Sequence, residues 1–164
     1  MNILNKIKYV LLLFSIVFSS CSTKKREKAI FLDNPNVFRI KLENGETEIV
    51  RKNHADDYIF ESWNAYNMVN TQLSLMENEE YKISKNRIVY LKKFMNNLAV
   101  SIPNWLQTNA INQELEDVEE EFDKLIDELD ESTHVIRKNC RELNQEFNEL
   151  QKEVKKTVKS YTNT

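Results

Sequence analysis

The stretch Trp105–Tyr161, WLQTNAINQELEDVEEEFDKLIDELDESTHVIRKNCRELNQEFNELQKEVKKTVKSY, decides the fold, because its apolar residues recur in alternating steps of three and four. Trp105, Thr108, Ile111, Leu115, Val118, Phe122, Leu125 and Leu129 mark one stripe; Ile136, Cys140, Leu143, Phe147, Leu150, Val154 and Tyr161 mark the next. That period is helical. Two such stripes predict near-antiparallel helices meeting along coiled-coil-like seams. The joint Asp130-Glu131-Ser132-Thr133 contains neither Gly nor Pro. Ser132 or Thr133 can cap a new helix there. The alternative is one helix of ~58 residues, ~87 Å long, which would bury its stripe only against another chain. Charge favours the turn. Glu114–Glu131 holds eleven acids against Lys124, whereas the following segment carries seven bases against four glutamates. Folding back sets opposite charges side by side.

Upstream, Lys82–Ser101 has five bases and no acid, and Ile88, Leu91, Met95 and Leu98 give it a helical stripe that starts after Ser84. Pro103 either opens a helix in its first turn or kinks a continuing one. Ile59, Trp63, Tyr66, Val69, Leu73 and Met76 extend the pattern to a first helix over His54–Asn78. Trp63, Tyr66, Trp105 and Phe122 are candidates for an aromatic layer across the bundle. Before that the period changes to two: Phe38, Ile40 and Leu42 alternate with charges, and Asn44-Gly45 offers a type I′ turn. A hairpin over 37–52 with Ile40 facing Ile49 and Lys41 facing Glu48 is the expectation. Overall the expected class is all-α, an antiparallel bundle of three to four helices over 53–164, with a small N-terminal hairpin at most.

The N-terminus reads differently. Met1–Lys8 has two lysines and no acid, Tyr9–Phe18 (YVLLLFSIVF) is ten residues without a charge, and Ser19, Ser20 and Cys21 precede the polar run Ser22–Lys28. A positive segment, a short apolar segment and small residues at a cleavage point make an export signal over 1–20. A bilayer-spanning helix needs ~20 apolar residues. The stretch Val17-Phe18-Ser19-Ser20-Cys21 resembles the lipobox of bacterial lipoproteins, although Phe18 stands where Leu is usual and Ser20 where Gly or Ala is usual. The resemblance covers residues 1–21. It implies cleavage before Cys21, a diacylglyceryl thioether on its sulfur and acylation of its new amino group. Ser22, not an acid, follows the anchor, which under the same resemblance favours the outer membrane, and Lys24-Lys25-Arg26 favours its periplasmic face. Residues 21–36 form the tether, ending in the turn residues Asn34-Pro35-Asn36.

Cys140 is then an unpaired cysteine on an apolar stripe, expected in the core. Removal of Lys6 and Lys8 with the leader takes the net charge from −3 to −5, which is no nucleic-acid profile. Single Gly45 and two prolines exclude phosphate loops and Gly-x-Ser-x-Gly elbows. Glu131-Ser132-Thr133-His134 has the Glu-x-x-His spacing of di-iron bundles, but there is one such pair and His54 has no acid three positions earlier. Met68, Met76, Met95, His54 and His134 could ligate haem, yet no Cys-x-x-Cys-His occurs. No catalytic residues and no cofactor are expected beyond the lipid on Cys21. The expected function is a non-catalytic, membrane-anchored interaction or structural module of the cell envelope. One alternative is a small periplasmic bundle binding a ligand, metal or haem near His134, Glu131 and His54. Another is an inhibitor or immunity lipoprotein that meets a protein partner through the acidic helix 114–131, with Glu116, Glu120 and Asp123 as contacts.

Overall fold

A computed structural model describes residues 34–42, 44–54 and 56–162. The expected export signal, Cys21 and the tether up to residue 33 lie outside the described residues. The chain divides into two units after Val37, and of the first the described residues are 34–37. In the first, the Asn34 side chain accepts from the Asn36 amide at 2.9 Å and its carbonyl from the Val37 amide at 3.0 Å. Asn34-Pro35-Asn36 is therefore a turn, as its residue types require.

β1 (Val37–Lys41), β2 (Thr47–Lys52) and β3 (Tyr58–Phe60) form an antiparallel sheet in the order β1-β2-β3. Four helices follow: α1 (Asn64–Asn78), α2 (Lys85–Met95), α3 (Asn109–Asp127) and α4 (Thr133–Thr162). This corrects the all-α expectation: the fold is mixed, mostly helical, with a three-stranded sheet. The error lies at His54–Trp63, read as the start of the first helix. Asn53 instead closes a second hairpin, its amide donating to Asp57 O at 2.9 Å and its side chain accepting from the Asp57 amide at 2.9 Å. Pairing then runs Lys52↔Tyr58 and Val50↔Phe60. Alternation buries Tyr58 and Phe60 and turns Ile59 outward. Asn67 covers the free edge of β3, its amide both accepting from and donating to the Phe60 backbone at 3.1 and 2.6 Å. That blunts an edge strand.

The first hairpin also closes differently. Leu42 N–H donates to Glu46 O and Gly45 N–H to Leu42 O, both at 2.9 Å, with Gly45 at φ +86°. The ladder therefore ends on Leu42 and Glu46, one residue out of the type I′ register. A slip of one exchanges the faces of a strand. Val50, not Ile49, is accordingly buried on the side of Ile40.

Helical periodicity holds from Asn64 onward. Tyr66, Val69, Leu73 and Met76 of α1, Ile88, Leu91 and Met95 of α2, and the stripes of α3 and α4 share one core. Chain reversal after α1 uses Glu80 and Tyr81 at φ +53° and +57°, with the Tyr81 amide on Met76 O at 2.8 Å. Non-glycine residues hold this strained conformation because Tyr81 is anchored. Its hydroxyl accepts from Asn144 at 2.9 Å, and Arg141 lies over its ring.

Pro103 neither kinks nor opens a long helix. The chain leaves α2 at Met95, makes a short 3-10 turn over Asn104–Leu106, and enters α3 behind Thr108, whose hydroxyl accepts from the Ile111 amide at 3.2 Å. The joint at 130–133 is a turn: the Ser132 carbonyl and hydroxyl accept from Ile136 and Val135. α3 and α4 then run antiparallel, with Glu128 joined to Asn139 and Lys124 to Glu142. α1 also runs antiparallel to α4, since Tyr81 meets Asn144 and Asn70 meets Gln151.

Candidate functional site

The two histidines are not brought together. His54 lies in the β2–β3 connection, beside Asp57, whose carboxylate accepts from Lys155 at 2.8 Å. His134 is exposed in the first turn of α4, next to exposed Glu131. Lys155 lies 21 positions along α4 from His134, about 31 Å at 1.5 Å per residue. The antiparallel course of α1 and α4 thus sends the three candidate ligands to opposite ends. Met76 and Met95 are core residues. Cys140 is fully buried and free, and burial pushes its thiol up to about 11. Such a thiol is inert near neutral pH.

The expected aromatic layer exists with altered membership. Trp63 stacks on Tyr66 with centroids 4.7 Å apart, Phe60 meets Trp63, Tyr66 and Trp105 at 5.8, 5.4 and 6.2 Å, and Phe147 meets Tyr66 at 5.4 Å. Trp63 also donates its indole N–H to Leu98 O at 2.9 Å. Phe122 is buried among the aliphatic residues of the core, and Phe60 and Phe147 complete the layer in its place.

Glu116, Glu120 and Asp123 stand exposed on α3, and among the described residues none of them forms an ion pair. Burial, then Asp123 and Glu116, holds the neighbouring Glu119 carboxyl above its usual range. The ridge is not neutralised by α4. Among the described residues the ion pair joining the two helices is Lys124–Glu142 at 2.8 Å, the lysine of the acidic helix with a glutamate of the basic one. Hydrogen bonds to Glu142 and Glu121 hold Lys124 above its usual range.

Sequence reasoning missed a second acidic feature. Glu114 and Asp117, one turn apart on α3, converge with Glu146 of α4, their ligand atoms within 4.8 Å of one another. Oxygen triads of this kind suit a hard divalent cation. Burial first, then neighbouring acids, raises Glu114 and Glu146. The 114/117 spacing was visible, whereas the arrival of Glu146 depends on the antiparallel register. Among the described residues no helix is long and apolar enough to cross a membrane. No family model, curated protein or solved structure matches the chain.

Proposed function

We propose that the chain is a lipid-anchored, non-catalytic module of the bacterial cell envelope, held at the periplasmic face of the outer membrane and meeting a protein partner through α3. The observation that carries the anchoring is the charged, apolar, small-residue, cysteine order of Met1–Cys21. Acylation at more than one position gives stable attachment, because each buried CH₂ contributes ~0.8 kcal/mol. Interaction is supported by the unpaired ridge of Glu116, Glu120 and Asp123, which would steer a basic surface toward α3. An inhibitor or immunity role would use the same ridge. A single ligand, metal or haem site built from His54, Glu131 and His134 loses its basis, since His54 stands apart from the other two.

Charge reversal tests the ridge. In the full chain, Glu116→Lys, Glu120→Lys and Asp123→Lys together should abolish capture of the envelope partner and leave the helical circular dichroism unchanged. Undiminished capture would exclude α3 as the contact.

A further inference from the structure

Ile88, Leu91 and Met95 turn the inner side of α2 to the core. Its outer side is left without a partner. There Val89 is 59%, Tyr90 48% and, just past the helix, Val100 84% exposed, a concentration of large apolar side chains in water. The helical pitch outlasts α2, since the Asn96 amide donates to Lys92 O and the Ser101 amide to Asn97 O, both at 3.1 Å. Val89, Lys93 and Val100, at i, i+4 and i+11, therefore follow one line along the surface. Tyr90 stands beside that line, its ring edge to face with Phe94 at 5.2 Å between centroids. The charge here has one sign. Lys82, Lys85 and Arg87 are paired with Glu80, Asp130 and Glu79. Lys92 and Lys93 are exposed and form no ion pair among the described residues, Lys93 lying over the Phe94 ring at 6.0 Å. Glu119 and Asp123 of α3 share a small pocket with Met95 and Asn96, which marks the border of the basic face.

We infer that this face docks on an anionic lipid surface. Two unpaired lysines call for a negative partner, and the apolar side chains between them call for one that also takes up hydrocarbon. A leaflet with anionic lipids offers both. Its phosphates meet Lys92 and Lys93, and its acyl boundary receives Val89, Val100 and the Tyr90 ring, whose hydroxyl stays among the head groups. The lysine stems lie along apolar surface while their charged ends remain in water. Single apolar side chains set between lysines on a convex helix match a fluid surface that conforms to each of them. A protein hot spot needs a packed pocket instead. The docking takes its proximity from the anchor proposed at Cys21, whose tether, at most ~3.5 Å per residue, keeps α2 within reach of the bilayer.

Lysine footprinting of the full mature chain tests this. The protein is reconstituted on vesicles of phosphatidylcholine, alone or mixed equally with phosphatidylglycerol, acetylated briefly and mapped by mass spectrometry. Lys92 and Lys93 should react about fivefold more slowly on the mixed vesicles, while the exposed Lys138 and Lys152 of α4 react alike on both. Val89→Ser, Tyr90→Ser and Val100→Ser together, all at exposed positions, should abolish the difference and leave the circular dichroism unchanged. Equal rates at Lys92 and Lys93 on the two kinds of vesicle would overturn the inference. So would slowing that the triple variant retains, or slowing that grows with the protein-to-lipid ratio, the mark of a contact between copies. Anchoring is read separately, as retention on phosphatidylcholine vesicles in about 1 M salt, where surface electrostatics are screened. A chain washed off by salt yet slowed at Lys92 and Lys93 would refute the anchor and uphold the docking.

Discussion

Cys140 shows how a residue type acquires its chemistry from its depth. A thiol on a polar surface near a base would be a nucleophile, but here it packs with Leu143 and Phe147 in the core. Burial raises it from its ordinary 9.0 to about 11. Because the folded value is the higher one, the native state is favoured below pH 9, and that contribution is lost as pH rises toward 11. At pH 8, a thiol reagent such as dithionitrobenzoate should leave Cys140 unmodified in folded protein and react at once in denaturant. Stoichiometric reaction of the native chain, measured by absorbance, would contradict the buried position. Gly45 makes the complementary point about the backbone. Its φ of +86° places the chain's one glycine where the hairpin needs a left-handed residue.

At the scale of elements, stripes spaced by three and four announced α3 and α4 correctly, because a helix that buries one face must repeat with its own pitch. β3 was hidden for the same reason. Ile59, Trp63 and Tyr66 happen to lie four and three apart, so Tyr58-Ile59-Phe60 mimicked the first turn of a helix, and three residues are too few to display a period of two. The hairpin register was misjudged because Asn44-Gly45 suits both a two-residue turn and a longer one with Gly45 left-handed. Charge blocks gave the correct turn at 130–133, yet the helices do not meet opposite charge to opposite charge. Glu114 and Asp117 face Glu146, three acids on one seam. Glu146→Gln should therefore raise the melting temperature at pH 7 by a degree or two, from a few tenths of a kcal/mol of relieved repulsion. Protonation removes that repulsion, so the advantage should vanish near pH 4, and 1 M salt should shrink it. A melting temperature lowered by the substitution at pH 7 would show that the triad stabilises the fold.

For the whole molecule, the two proposed properties have different origins. The proposed position in the cell is written locally, in twenty-one consecutive residues that need no tertiary context. The candidate site is not. Glu114 and Asp117 of α3 reach Glu146 of α4 only through the antiparallel register of the two helices, which no spacing along the chain displays. The ridge on α3 lies between these cases: its acids were legible as a run, and their exposure followed from the stripe beneath them. The proposed role rests on the lipid at Cys21, which would hold that ridge close to a membrane. Intact-mass spectrometry of the protein recovered from its native envelope tests this most directly. The expected mass is that of a chain beginning at Cys21, bearing diacylglyceryl and N-acyl groups that Cys21→Ala abolishes. A chain beginning at Met1, or one starting at Cys21 without acyl mass, would contradict it.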